Sequence, residues 1–126
     1  MKKIEFRKKL IGIISEGYAA LTFDEIVAEL DEALVEVSKE KGWATPNKGN
    51  PWNDSELALV LTDAPTKRNT VKYARLLGRG FGSVEMVYRW AFSSDKDIKR
   101  KGREKDKFVK QIKKIARQVG WLEGVD

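Results

Sequence analysis

Cysteine and histidine do not occur anywhere in this chain of 126 residues. Their absence removes disulfide staples, thiolate nucleophiles, zinc-finger ligand sets and the histidine general base together. Proline is scarce at 3 residues and glycine is held to 10, so little stands in the way of long helices. No apolar run approaches the roughly 20 residues that span a bilayer. The Met1-Lys2-Lys3 start has the charge of a signal peptide, but Glu5, Arg7, Lys8 and Lys9 interrupt the apolar region that should follow. The expectation is a cytoplasmic protein, nucleoid-associated if prokaryotic, with no membrane contact.

What remains is 41% hydrophobic and 35% charged, the balance of a globular chain with room for one core. Its charge is unevenly spread. Residues 22–41 hold seven acids against Lys39 and Lys41, a balance of −5, whereas residues 66–117 hold 17 basic and five acidic residues, a balance of +12. An acidic front half precedes a basic back half.

Helical spacing organises the chain. Phe6, Leu10 and Ile13/Ile14 mark a first helix over residues 2–16, stopped by Gly17, with a strand over residues 4–10 as the second reading. Thr22 and Glu25 form a capping box for a second, in which Phe23, Val27, Leu30, Leu34 and Val37 recur in steps of 4, 3, 4 and 3 up to Gly42. Residues 44–51 concentrate turn formers and read as a linker. Three short helices follow over residues 53–61, 66–77 and 83–92. Residues 93–104 read as a polar, basic surface loop. A last helix over residues 105–119 repeats the 4-3-4 seam with Phe108, Ile112, Ile115 and Val119, and Gly120 ends it. The expected organisation is a helical segment 1–43, a linker 44–51, a three-helix unit 52–92 and a basic loop with a terminal helix 93–126.

The seams of the second and last helices carry opposite flanking charge, −6 over residues 22–40 and +5 over residues 105–117. Pairing them, within one chain or exchanged in a symmetric homodimer, buries both. A homodimer through two acidic helices is the costlier arrangement.

The middle segment carries the functional signal. Two helices that cross closely need a small residue at the crossing and a glycine in the turn, and Ala74 and Gly78 supply both. Val84 and Val87 then fall on the inner face of the following helix, with Leu77 closing the core. Trp52-Asn-Asp-Ser-Glu-Leu57 resembles the opening of a Myb/SANT-type repeat. Tyr73-Ala-Arg-Leu-Leu-Gly-Arg79 with Ser83-Val84 is similar to that family's second helix, glycine-arginine turn and recognition-helix start. The resemblance covers about 40 of the 126 residues. It implies an all-α fold, a helical bundle containing a three-helix, Myb-like helix-turn-helix with the N- and C-terminal helices packed on it.

The same resemblance implies duplex DNA as partner, read in the major groove by residues 83–92. Ser83, Glu85, Met86 and Arg89 are then the base-contact candidates, Arg89 foremost because a guanidinium bonds guanine O6 and N7 together. Lys67, Arg68, Lys72, Arg75 and Arg79 are the phosphate-contact candidates. Arg100, Lys101 and Arg103 join them from a flexible arm. The four tryptophans read as core.

The expected function is non-enzymatic DNA binding in transcription regulation or the handling of mobile-element DNA, without cofactor, metal or small-molecule substrate. The paired acids Asp24/Glu25 and Asp31/Glu32 lack polar partners nearby in sequence. Residues 78–82 follow a helix instead of a strand and lack the Gly-Lys-Ser/Thr ending of a phosphate loop. The alternative function is a protein-interaction module, an inhibitor or adaptor built on a helix-turn-helix scaffold, which Glu85 and the acidic second helix favour. RNA binding rests on charge alone.

Overall fold

A computed structural model describes residues 1–41 and 43–121, and every described element is helical. Gly42, expected to stop the second helix, and residues 122–126 of the expected terminal segment lie outside the described residues. Two compact units divide the chain, Met1–Leu34 and Val35–Asp126.

The first unit contains α1 (Lys3–Gly17) and most of α2 (Phe23–Glu36). The capping box of α2 is formed: the Thr22 N–H donates to Glu25 Oε1 at 3.0 Å, and the Glu25 N–H donates to Thr22 Oγ1 at 3.2 Å. Among the described residues of this unit, Ile26 alone is buried. α2 runs into a π-helical turn, Val37–Lys41, past the end of the unit.

The second unit holds α3 (Asp54–Thr62), α4 (Lys67–Leu77), α5 (Phe81–Phe92), α6 (Asp95–Arg100) and α7 (Lys107–Gln118). Side-chain caps set the starts of four of them. Asn53 and Glu56 form a reciprocal capping box on α3, while Thr66, Ser94 and Asp106 accept backbone N–H groups at the heads of α4, α6 and α7. Leu57, Val60 and Leu61 of α3, Ala74 of α4, Val84 and Val87 of α5, and Ile112 and Ile115 of α7 share one core. Each fully buried aliphatic side chain contributes roughly 1.5–3 kcal/mol. Val35, Val71 and Phe81 form a smaller cluster under Trp43.

Three expectations are corrected. Residues 93–104 are not a loop, because Ser94 caps α6 and Ile98 is buried beneath it. The α7 seam is filled by α3 and α5, so Ile112 and Ile115 are already buried without the acidic helix, and Val119 stays 37% exposed at its end. Residues 44–51 are no free linker: the Asn47 N–H donates to Gly78 O at 2.9 Å, and Asn47 Nδ2 donates to Leu77 O at 2.7 Å. That segment satisfies carbonyls which the end of α4 leaves unpaired.

Candidate nucleic-acid interface

α4 and α5 are joined by three residues, Gly78, Arg79 and Gly80, the length of turn that a helix-turn-helix uses. Gly78 reverses the chain at φ 65°, and the Arg79 N–H returns to Ala74 O at 2.9 Å, which closes α4 as a C-cap. Ala74 is buried where the two helices meet, and Val84 and Val87 face inward from α5. α5 starts at Phe81, two residues earlier than the spacing suggested, because Gly80 caps it and Phe81 is buried in its first turn.

Arg79 does not face outward. Its guanidinium is 4% exposed. Nε and Nη2 donate to the two Glu56 oxygens at 3.1 and 3.0 Å, Nη1 donates to Asn47 O and Asn50 O at 3.2 and 2.8 Å, and Nη2 donates to Pro51 O at 3.1 Å. Its plane also lies over the Trp52 ring, 4.3 Å from the centroid. With all its donors committed, Arg79 is a clasp and not a phosphate contact. Its hydrogen bond to Glu56 holds that carboxyl below its ordinary value, against the opposing effect of burial.

The outer face of α5 presents Gly82, Glu85 and Arg89 as exposed residues, with Met86 half-buried at its edge. Arg89 Nη2 donates to Glu85 Oε1 at 3.0 Å, so the foremost base-reading candidate begins in an intrahelical ion pair. Ser83 lies further round, half-buried, and its Oγ accepts from Trp52 Nε1 at 3.3 Å. Ser83 and Met86 instead line a groove of about 400 Å³ with residues 49–52, Lys107, Phe108 and Gln111. That groove runs between α5, at Ser83 and Met86, and the first turns of α7, at Lys107, Phe108 and Gln111.

α7 is the strongly cationic element. It contains no acid, and Lys107, Lys110 and Lys114 stand exposed at the i, i+3 and i+7 spacing that aligns them on one face. Lys113, one position away, is buried and donates to Ala91 O and Ser93 O at 3.2 and 2.6 Å, where it caps the C-terminus of α5. The three exposed lysines were absent from the sequence-derived candidates because the seam of their helix was assigned to the acidic helix. Reading the helix as a wheel around Ile112 and Ile115 would have found them.

The remaining candidates are distributed around the second unit. Lys67, Arg68, Lys72 and Arg75 are exposed on α4. Lys72 pairs with Asp63 at 2.9 Å, and Arg75 lies 4.7 Å from the centre of the Trp43 ring. Arg100 and Lys101 both engage Asp97, the latter at 3.1 Å, and Arg103 meets Asp106 at 3.5 Å. This ordered cluster replaces the expected flexible arm, although exposed pairs of this kind are worth little and exchange readily for phosphate oxygens. The tryptophans act chiefly as packing groups. Trp52 is buried and stacks with Phe108, while Trp121 stacks with Tyr88 and donates to Leu61 O.

Among the described residues no group of acids is arranged to hold a metal ion, and no helix is long and apolar enough to cross a membrane. A sequence family described as "Uncharacterised protein PM1205 C-terminal domain" matches residues 46–123. Uncharacterized protein PM1205 of Pasteurella multocida (strain Pm70) is 41% identical over 122 residues, which cover 94% of this chain and 97% of that protein. No solved structure matches. The family match begins at Pro46, just before the Asn47–Pro51 segment that Arg79 gathers, so it takes in the whole helix-turn-helix and the lysine-bearing helix.

Proposed function

The chain belongs to the PM1205 C-terminal domain family, and from the geometry of its second unit we propose that it is a non-enzymatic duplex DNA-binding protein, a regulator or a factor handling mobile-element DNA. One observation carries the reading. α5, the second helix of a helix-turn-helix pair, presents an exposed outer face, and the groove that its Ser83 and Met86 line also takes in Lys107, the first of three exposed lysines on the acid-free α7. α5 enters the major groove, and Lys107, Lys110 and Lys114 contact phosphates beside it. Phosphate contacts fix position and base edges specify sequence, so α7 provides affinity and α5 provides whatever selectivity exists. The Myb/SANT likeness of residues 52–92 agrees with this assignment.

Glu85 favours a second reading. An acid on the presented face opposes DNA phosphates and neutralises Arg89, which suits a scaffold that engages a protein instead. Titrating the full chain into a fluorescent duplex at two salt concentrations, beside an unrelated duplex, separates the two readings. Binding that weakens steeply with salt supports the proposal, because each neutralised phosphate adds about 0.9 to the logarithmic slope. No binding even at low salt refutes it.

A further inference from the structure

We propose that the unit Met1–Leu34 is a dimerisation arm whose partner is the same unit of a second copy. The proposal stands apart from the DNA reading and needs no nucleic acid.

Its basis is apolar surface that this unit leaves uncovered. α1 buries none of its residues. Phe6 is 58% and Ile13 66% exposed, although with Leu10 and Gly17 they fall on one face at steps of 4, 3 and 4. α2 presents Phe23, Val27, Leu30 and Leu34 at the same rhythm, with Phe23 64% exposed. Seams of this spacing are buried by another helix. A unit of this size has no disulfide to staple it, and units below about 40 residues usually depend on such staples, metals or oligomerisation.

Charge selects the occupant. Lys3, Arg7 and Lys9 lie on or beside the seam of α1 against the single acid Glu16, whereas Asp24 and Asp31 flank the seam of α2, a helix with six acids and no base. Two α1 seams, or two α2 seams, would face like charge. A two-fold arrangement with α1 against the partner copy's α2 matches unlike charges at both contacts and uses both seams at once.

Sedimentation of the full chain tests this without DNA. The expected mass is twice 14.4 kDa at micromolar concentration, dissociating on dilution. Phe6→Asp with Ile13→Asp should return it to the single-chain mass, while circular dichroism confirms that the helices of the second unit persist. Arg7→Glu with Lys9→Glu, and separately Asp24→Lys with Asp31→Lys, should each halve the mass, and mixing these two variants should restore the doubled value. A wild-type chain of single mass at every concentration overturns the proposal. So does a doubled mass that survives the Phe6/Ile13 substitutions, or charge variants that do not recombine.

Discussion

Arg79 and Glu56 meet through two parallel hydrogen bonds at 3.1 and 3.0 Å, and the same guanidinium gathers the carbonyls of Asn47, Asn50 and Pro51. One side chain therefore binds the α4–α5 turn to α3 and to the segment entering it. Arg79→Ala should lower the unfolding free energy by about 3 kcal/mol or more, since breaking an enclosed pair leaves its acid uncompensated. Arg79→Lys should recover only part of that loss, because an ammonium cannot reproduce the fork. Denaturant titration reads both, and an alanine variant as stable as its parent would reduce the clasp to an ordinary surface pair.

The same pair sets a pH dependence. The Arg79 hydrogen bond places the folded value of Glu56 below its ordinary 4.5, with the Asn53 backbone hydrogen bond adding to the shift. The stabilisation is therefore fully present above about pH 4.5 and is lost as pH falls through the depressed native value. Glu56→Gln should be less stable than the parent near neutrality, and the gap between their melting temperatures should narrow in acid. A gap that stays constant from neutrality to pH 3 would detach Glu56 from this linkage.

The helix-turn-helix was legible because its determinants are local. Ala74, Gly78, Val84 and Val87 lie within 14 positions, and their order dictates the crossing. The clasp was not, because Arg79 is about 30 positions from the carbonyls it binds, and an arginine in a turn reads as solvated until its donors are placed. α6 escaped notice because six residues give almost no periodicity, although Ser94 and Asp97 mark its cap. For α7, the 4-3-4 spacing stated correctly that a seam is buried but could not say against what. Assigning it to the oppositely charged helix hid the lysine row.

That row yields the next prediction. Lys107→Gln, Lys110→Gln and Lys114→Gln together should weaken binding to specific and random duplexes alike and make the logarithmic salt slope shallower by about 2 to 3 units. All three side chains are exposed, so the fold should melt as the parent does. An unchanged slope would move the phosphate contacts away from α7.

Base reading by α5 is tested at its ion pair. Glu85 and Arg89 are both exposed, so the pair contributes only a few tenths of a kcal/mol to stability. Arg89→Ala should cost about 1 to 3 kcal/mol on a preferred site and much less on random DNA. Glu85→Gln removes an acid from the docking face and releases Arg89, and it should strengthen binding to every duplex. Equal losses on both DNAs for the alanine variant would make Arg89 a backbone contact.

Gly78 and Gly82 stand four residues apart, one in the α4–α5 turn and the other in the first turn of α5, and should respond oppositely to alanine. Gly78 has φ 65°, a conformation that costs an ordinary residue roughly 1–2 kcal/mol. An added Cβ would also meet Pro46 Cδ and Cγ at 3.0 Å and Asn47 Nδ2 at 3.2 Å. A pyrrolidine ring cannot swing aside, so Gly78→Ala must displace the segment that Arg79 holds and should lose more than the backbone strain alone. Gly82 lies inside α5, is exposed, and has nothing within 4 Å of its added Cβ. Gly82→Ala should therefore stabilise the fold by about 0.5–1 kcal/mol, through the smaller entropy loss of alanine in a helix. Gly82 also shares the outer face of α5 with Glu85 and Arg89, at the end where a recognition helix approaches DNA most closely. If α5 docks as proposed, the extra methyl should reduce duplex affinity while the melting temperature rises, and this opposition is the signature to measure. A variant that gains stability and keeps its full affinity would mean that this end of α5 does not touch the duplex.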